Sequence, residues 1–396
     1  MSTRIATCVV LACVALGAPS TLSPAKIARI DTTADALLAT VFEEIVRGQL
    51  DTALQNIEDL IRITPNFRLA HLIKGDILLA RVRPIETIGA APNAPNANIE
   101  GLRAEALVRV RAYRERPPED RVPRYLLQLR NDQRYALVVD TRRSRLYLYE
   151  NDAGTPRFVA DYYVSSGKNG PQKVREGDEK TPIGVYHITA SLPRQKLSDF
   201  YGSGAFPINY PNDWDRIQGR NGHGIWLHGT PSNTYSRPPR SSNGCVVLVN
   251  SDLEEIALKL QVGVTPVIIS EEVKWLSLDD WTSERNSLER ELERWRADWE
   301  SLDTDRYLAH YSASFSAQNA DLNGWARHKR LVNSGKTWIK VKVSNLSMFE
   351  DPGKAGLVSV TFDQEYRSNN LSNTVKKRQY WLREDDGWRI LYEGTA

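Results

Sequence analysis

Residues 227–248 read LHGTPSNTYSRPPRSSNGCVVL, and this stretch decides how the whole chain is read. It sets a histidine, His228, and a cysteine, Cys245, at the two ends of one loop rich in serine and proline. A thiol is mostly protonated at neutral pH. To act as a nucleophile it needs an imidazole within hydrogen-bond reach, and the imidazole needs a third group to orient it. Gly244, directly before the cysteine, lets the backbone turn sharply and presents successive amides where an oxyanion would form, a device worth about 3 kcal/mol per donor. These are the parts of nucleophilic acyl transfer.

Outward from this stretch, the other two cysteines support that reading. Cys8 and Cys13 fall in the first 20 residues, where one early arginine precedes an apolar run and then small residues, as in a secretory signal. The expectation is export to a periplasm, with residues 1–20 removed. Cys13 also allows a lipoprotein processing site to be read there. The remaining chain keeps Cys245 as its single thiol, with no internal disulfide, and a thiol kept in an oxidising compartment is either buried inert or used.

The 396 residues, 41% hydrophobic and 26% charged, allow two or three domains, each with its own core. A formal charge of +3 is too small to argue for nucleic acid. Residues 100–145 do carry twelve arginines against seven carboxylates, which reads either as a solvated face or as contact with an anionic wall or membrane surface. Past the leader, no stretch approaches the length and apolarity of a membrane span, so no transmembrane anchor is expected.

Residues 227–248 resemble the signature of the L,D-transpeptidase (YkuD) family, a His-Gly or His-Ser pair followed by Ser/Thr-x-Gly-Cys. The turn Ser165-Ser-Gly-Lys168 and the run Lys180-Thr-Pro-Ile-Gly-Val-Tyr are similar to two further landmarks of that family. The resemblance implies Cys245 as nucleophile, His228 as base and the carbonyl of Gly229 as its orienting partner. It also implies an oxyanion hole from the amides of Asn243, Gly244 and Cys245, and a peptidoglycan stem peptide as substrate, cut at an L,D bond without metal or other cofactor. Two positions depart from the family pattern: Asn243 stands where many members have histidine, and Val247 where many have arginine, which leaves substrate handling open. Ser242, Thr230 and His223 are the candidate substrate contacts; His223 reads also as a loop residue without catalytic duty. His223 and His228, five apart on a presumed strand, would project to opposite faces and could not share a metal.

The fold class expected is multidomain α+β. Residues 31–116 carry apolar residues at helical spacing and read as an α-helical module similar to a tetratricopeptide repeat, with Gly48, Ala53, Ile57, Leu60 and Pro65 in the repeat's positions. Only about one and a half repeats are present, so the module should complete itself against the catalytic domain or against a second copy as a homodimer. A flexible connection is read at residues 89–98, and Pro117-Pro118 ends the helix that follows. Residues 134–270 turn to strands and form the YkuD catalytic domain, a mixed β-sandwich, in which residues 191–215, with Tyr201, Phe206, Tyr210 and Trp214, read equally as an aromatic lid or wall beside the cleft and as ordinary packing. Residues 278–396 begin with two helices, 288–299 and 302–311, before four strand-like runs, and resemble the NTF2-like cone. Binding of wall peptide or glycan, dimerisation and domain bracing all stay open for it.

This arrangement is similar to the cell-shape L,D-carboxypeptidase branch, which trims stem tetrapeptides to tripeptides. Transfer to an amine, giving 3-3 cross-links or attaching and releasing wall proteins, is the close alternative. A catalytically silent wall-binding scaffold is the more distant one.

Overall fold

The computed structural model describes residues 34–90, 96–317, 320–385 and 387–396. The expected signal, with Cys8 and Cys13, and residues 91–95 of the expected flexible connection lie outside the described residues, while residues 96–98 of that connection begin a helix instead.

The first four helices are α1 (Ala34–Val46), α2 (Leu50–Ile63), α3 (Arg68–Ala80) and α4 (Asn96–Arg114). Leu38, Val41, Ala53, Ile57, Leu60, Ile73 and Ile77 recur three or four positions apart, fall on one face of each helix and close a common core. Gly48 turns the chain between α1 and α2 at φ +74°, a conformation that disfavours any side chain. The module does not close by itself. Tyr235, from the loop between His228 and Cys245, packs into its core.

In the central domain the hydrogen-bonded strand order is Gly184–His187, Pro266–Ser270, Tyr135–Asp140, Arg145–Asp152, Thr155–Gly167, Val246–Leu248, Trp226–His228, Gly204–Pro207, Leu192–Pro193. The short strand Arg240–Ser242 pairs with Thr155–Gly167 off this path. The pairing is mixed: Pro266–Ser270 runs parallel to Tyr135–Asp140, and Val246–Leu248 parallel to Trp226–His228. Side chains alternate across a strand, so Leu137 and Val139 enter one core while Ala136 and Val138 enter another on the opposite face. Burial on both faces explains why this strand reads as a continuous apolar run. Short helices α5 (Asp213–Ile217) and α6 (Asn250–Ala257) flank the sheet's edge.

The C-terminal domain curls a seven-stranded sheet around α7 (Leu278–Glu300), whose Leu288, Leu292, Trp295 and Trp299 are buried against it. The expected second helix is shorter: α8 spans Thr304–Leu308, started by the Asp303 side chain accepting from the Arg306 amide. It stops because Tyr311 opens the strand Tyr311–Ala317 and places its hydroxyl in a buried network with Trp295 and Glu393. That strand and α9 (Leu322–Ser334) have no counterpart in the sequence reading. Lys329 of α9 is buried among the rings of Trp299, Tyr307 and Trp325, and burial lowers its pKa to about 8.

One further strand was illegible in the sequence. Leu126–Gln128, which precedes the catalytic strands, is the outer strand of the C-terminal sheet, pairing with Met348 and Phe349. Trp281 fixes it by donating from its indole nitrogen to the Leu126 carbonyl at 2.7 Å. With the Arg378–Asp213 ion pair and the Trp214–Tyr380 ring contact, this strand braces the last domain against the central one. Two arginines of the basic stretch, Arg109 and Arg145, are buried, and others are paired at the surface. Arg109 and Arg145 share the carboxylate of Asp35, while Arg124, Arg142 and Arg143 pair with Glu350, Glu272 and Glu115.

Candidate active site

His228 ends one strand and Cys245 immediately precedes the next. The two strands are parallel neighbours, Leu227 beside Val246 and His228 beside Val247. Leu227 and Val246 both enter the core. By alternation, His228 and Cys245 share the opposite face, two residues apart along the strand direction and one strand apart across it. Neither ring nitrogen of His228 is hydrogen-bonded to the thiol among the described residues; the thiol donates to the Gly224 carbonyl at 3.4 Å. Such contacts commonly tighten only when substrate is bound.

The imidazole is held on all sides. Nδ1 lies 2.7 Å from the Gly229 carbonyl, to which it donates, leaving Nε2 with the lone pair. The Gly229 backbone is itself pinned, its amide donating to the Tyr201 carbonyl at 3.0 Å. A side chain at 229 would collide with the Asn250 amide oxygen, 2.0 Å from an ideal Cβ. Asn250 accepts from the Ser203 and Thr230 amides and donates to the Thr230 carbonyl, so the first residue of α6 sets the backbone after the base. The rings of Tyr201 and Phe200 lie 5.1 and 5.7 Å from the imidazole. Burial, only 1% of His228 being exposed, and the nearby Arg237 charge lower its pKa to about 4 against the opposing Gly229 bond. The base is neutral at physiological pH.

Burial raises the Cys245 thiol, while the Trp226 amide and the charges of Arg237 and Lys173 pull the other way. The resting pair is therefore neutral thiol and neutral imidazole. The turn before the thiol is built from both of the further landmarks. Thr181 donates to the Gly244 carbonyl at 2.9 Å and accepts from the Gly167 amide at 2.9 Å, and the Lys168 amide donates to the Ser242 carbonyl. Gly244 sits at φ +120°, and a Cβ there would lie 2.7 Å from the Lys180 carbonyl oxygen.

Several candidates take different places from those expected. Ser242 is buried, accepts from the Gly244 amide and donates to the Cys245 carbonyl at 2.6 Å. It shapes the nucleophile's turn rather than facing substrate. The Gly244 amide, one of the three expected oxyanion donors, is thereby engaged by the Ser242 hydroxyl. Thr230 is buried and donates to the Tyr235 carbonyl, closing the base of the loop. His223 is not on a strand; it lies on the exposed loop before Trp226–His228, 3.2 Å from Glu176. Of the four aromatic residues expected to wall the cleft, Tyr201 touches His228, whereas Phe206 and Tyr210 belong to the core and Trp214 to the contact with the last domain. No cluster of three or more metal-binding side chains occurs among the described residues. The sequence reading missed Phe200, Asn250 and Arg237. An arginine in the run Ser-Arg-Pro-Pro-Arg has no signature that separates it from a solvated charge.

The loop that joins base to nucleophile is held by the helical module. Phe67 stacks on Tyr235 at 4.6 Å, Ser236 donates to Glu105 at 2.6 Å, and Asn66 bonds to the backbone of Ser232 and Tyr235. Glu105 also pairs with Arg109, whose guanidinium lies 3.8 Å from the ring centre of Tyr163. Tyr163 in turn donates to the Arg237 carbonyl at 2.7 Å.

Comparison with known proteins agrees with this geometry. Residues 134–269 match the model of the L,D-transpeptidase catalytic domain, YkuD, and residues 287–394 that of the Cds6 C-terminal NTF2-like domain. The solved structure of Bdellovibrio bacteriovorus Bd1075 is 30% identical, with a TM-score of 0.62, over 70% of this chain and 98% of that one. The chain belongs to the L,D-transpeptidase family. Within that family it is also similar to the helical cell shape determining protein Pgp2 from Campylobacter jejuni, at 26% identity and a TM-score of 0.59, over 69% of this chain and 95% of that one. No curated protein matches the chain. The tetratricopeptide detail of the helical module and a homodimer remain proposals, and no described helix is long and apolar enough to cross a membrane.

Proposed function

We propose that this L,D-transpeptidase-family enzyme is a periplasmic L,D-carboxypeptidase that trims peptidoglycan stem tetrapeptides to tripeptides. The observation that carries the reading is the placement of His228 and Cys245 on one face of adjacent parallel strands, with the imidazole oriented by the Gly229 carbonyl so that its basic nitrogen is free. The similarity to a helical cell shape determining protein favours trimming of the wall as the outcome.

Neutral His228 takes the thiol proton as Sγ attacks the carbonyl of stem residue three. The amides of Asn243 and Cys245 stabilise the oxyanion. Collapse breaks the C–N bond to residue four, and the imidazolium returns the proton to the departing nitrogen, so D-alanine leaves as a neutral amine. Water then adds to the thioester, giving its proton to His228. The tripeptide leaves with a new carboxylate, and the proton returns to the thiol. Each step uses groups of this chain and water.

The test is mass spectrometry of purified muropeptides incubated with wild type and with Cys245→Ala. Conversion of tetrapeptide to tripeptide by wild type alone is the expected result. Cross-linked or amine-exchanged products, lost in the variant, would assign a transpeptidase instead.

A further inference from the structure

The inference rests on the carboxypeptidase reading and concerns how the same site selects its substrate. In that reaction the leaving nitrogen must reach His228 to receive a proton. The carboxylate carbon of the departing D-alanine is two bonds from that nitrogen, so it comes to rest within about 4 Å of the imidazole's free edge. At rest the buried imidazole and the half-buried thiol, both neutral, offer a carboxylate no positive charge, and removing it from water without a partner is costly.

Beside the imidazole ring lie Phe200 and, over the Phe200 ring, Arg237. Phe200 is 48% exposed and 5.7 Å from the imidazole; the Arg237 guanidinium carbon lies 4.7 Å from the Phe200 ring centre. Arg237 is half-buried, and among the described residues it has no carboxylate partner. Three cations around the site are engaged: Lys173 with Asp178 at 2.7 Å, Lys168 with Glu179 at 2.6 Å, and Arg220 with Asp215 at 3.1 Å. Its backbone is fixed by the Tyr163 hydroxyl, and its loop by Tyr235 and Ser236 on the helical module. The charge also reaches Cys245. An unpaired, pre-positioned guanidinium one aromatic ring away from the base is a carboxylate receptor, since its planar donors match the two oxygens of the anion.

We propose that Arg237 binds the terminal α-carboxylate of the stem peptide, so that the enzyme selects stems ending in a free amino acid directly after the scissile bond. A pentapeptide, whose carboxylate lies one residue further out, is discriminated against by the same contact.

The test compares release of D-alanine from a soluble disaccharide-tetrapeptide with release of D-alaninamide from the same compound amidated at its terminal carboxylate. Wild type, Arg237→Gln and Arg237→Lys are each assayed on both. Wild type is expected to favour the free acid by ~10- to 100-fold in kcat/KM, mostly through KM, as suits loss of a charge-assisted hydrogen bond. Arg237→Gln should bring the ratio of acid to amide close to one; Arg237→Lys should restore part of the preference. Equal loss on both substrates would mean that Arg237 acts only through the thiol or the fold, and would overturn the proposal. So would a wild type that cleaves acid and amide alike, a result that does not depend on how any variant folds. If wild type releases amine from neither compound, the carboxypeptidase reading itself fails; if the acid preference survives in Arg237→Gln, only the role of Arg237 does.

Discussion

His228, the proposed base, is buried beside two aromatic rings, and burial pushes its pKa down to about 4. Because the imidazole must be neutral to accept the thiol proton, the acid limb of kcat/KM should inflect near pH 4, with activity holding from about pH 5 to neutrality. A profile of tetrapeptide hydrolysis checks this; an acid limb near the ordinary histidine value of 6.5 would show that the free enzyme exposes its base. Stability follows the same sign. The unfolded imidazole binds a proton below about 6.5 and the folded one only below about 4, so this group's contribution is complete above the upper value and is lost as pH falls between the two. Cys245 and His228 are legible in sequence because few residue types can do their chemistry and the glycine beside each marks a constrained backbone. Arg237 and Phe200 are not, because arginine and phenylalanine are common in loops and only the folded chain shows one stacked on the other beside the base.

The elements around the nucleophile explain why three separate sequence landmarks occur together. Read singly, Ser165-Ser-Gly-Lys168 and Lys180-Thr-Pro are turn chemistry. Folded, Thr181 joins them, accepting from the Gly167 amide and donating to the carbonyl just before Cys245. Thr181→Val keeps the shape and removes both bonds at a fully buried position, so it should cost about 1–3 kcal/mol of stability. It should also lower kcat more than it raises KM, because the turn aims Sγ. Urea unfolding and tetrapeptide kinetics on the variant measure the two effects, and an unchanged kcat would show that the turn holds its course without Thr181. The strand Leu126–Gln128 escapes a sequence reading for a different reason. Three residues carry too little period to declare a strand, and its partner lies more than two hundred positions away. The boundary between α8 and the strand at Tyr311 is similarly invisible, because a tyrosine that ends one and opens the other fits either pattern.

Across the whole molecule, the helical module is joined to the catalytic domain through the loop between His228 and Cys245. The helical module lacks enough helices to close its core, and the residue that completes it, Tyr235, comes from the loop joining base and nucleophile. Phe67→Ala removes a fully buried ring from that contact and should cost about 3–5 kcal/mol. In the protein that remains folded, kcat/KM for the tetrapeptide should fall and protease cleavage within residues 230–241 should quicken. Unaltered kinetics would mean that the loop holds its course without the module. The three-domain order was readable from periodicity and motif, whereas this dependence was not, since one tyrosine in a polar loop carries no sign of the core it enters. The proposed reaction runs through a thioester at Cys245 resolved by water. Its most direct measurement is the muropeptide incubation repeated in heavy-oxygen water with wild type and Cys245→Ala. The prediction is tripeptide carrying one heavy oxygen in its new carboxylate, formed by wild type alone. Unlabelled product, an acyl group joined to an amine instead, or turnover that persists in the variant would contradict it.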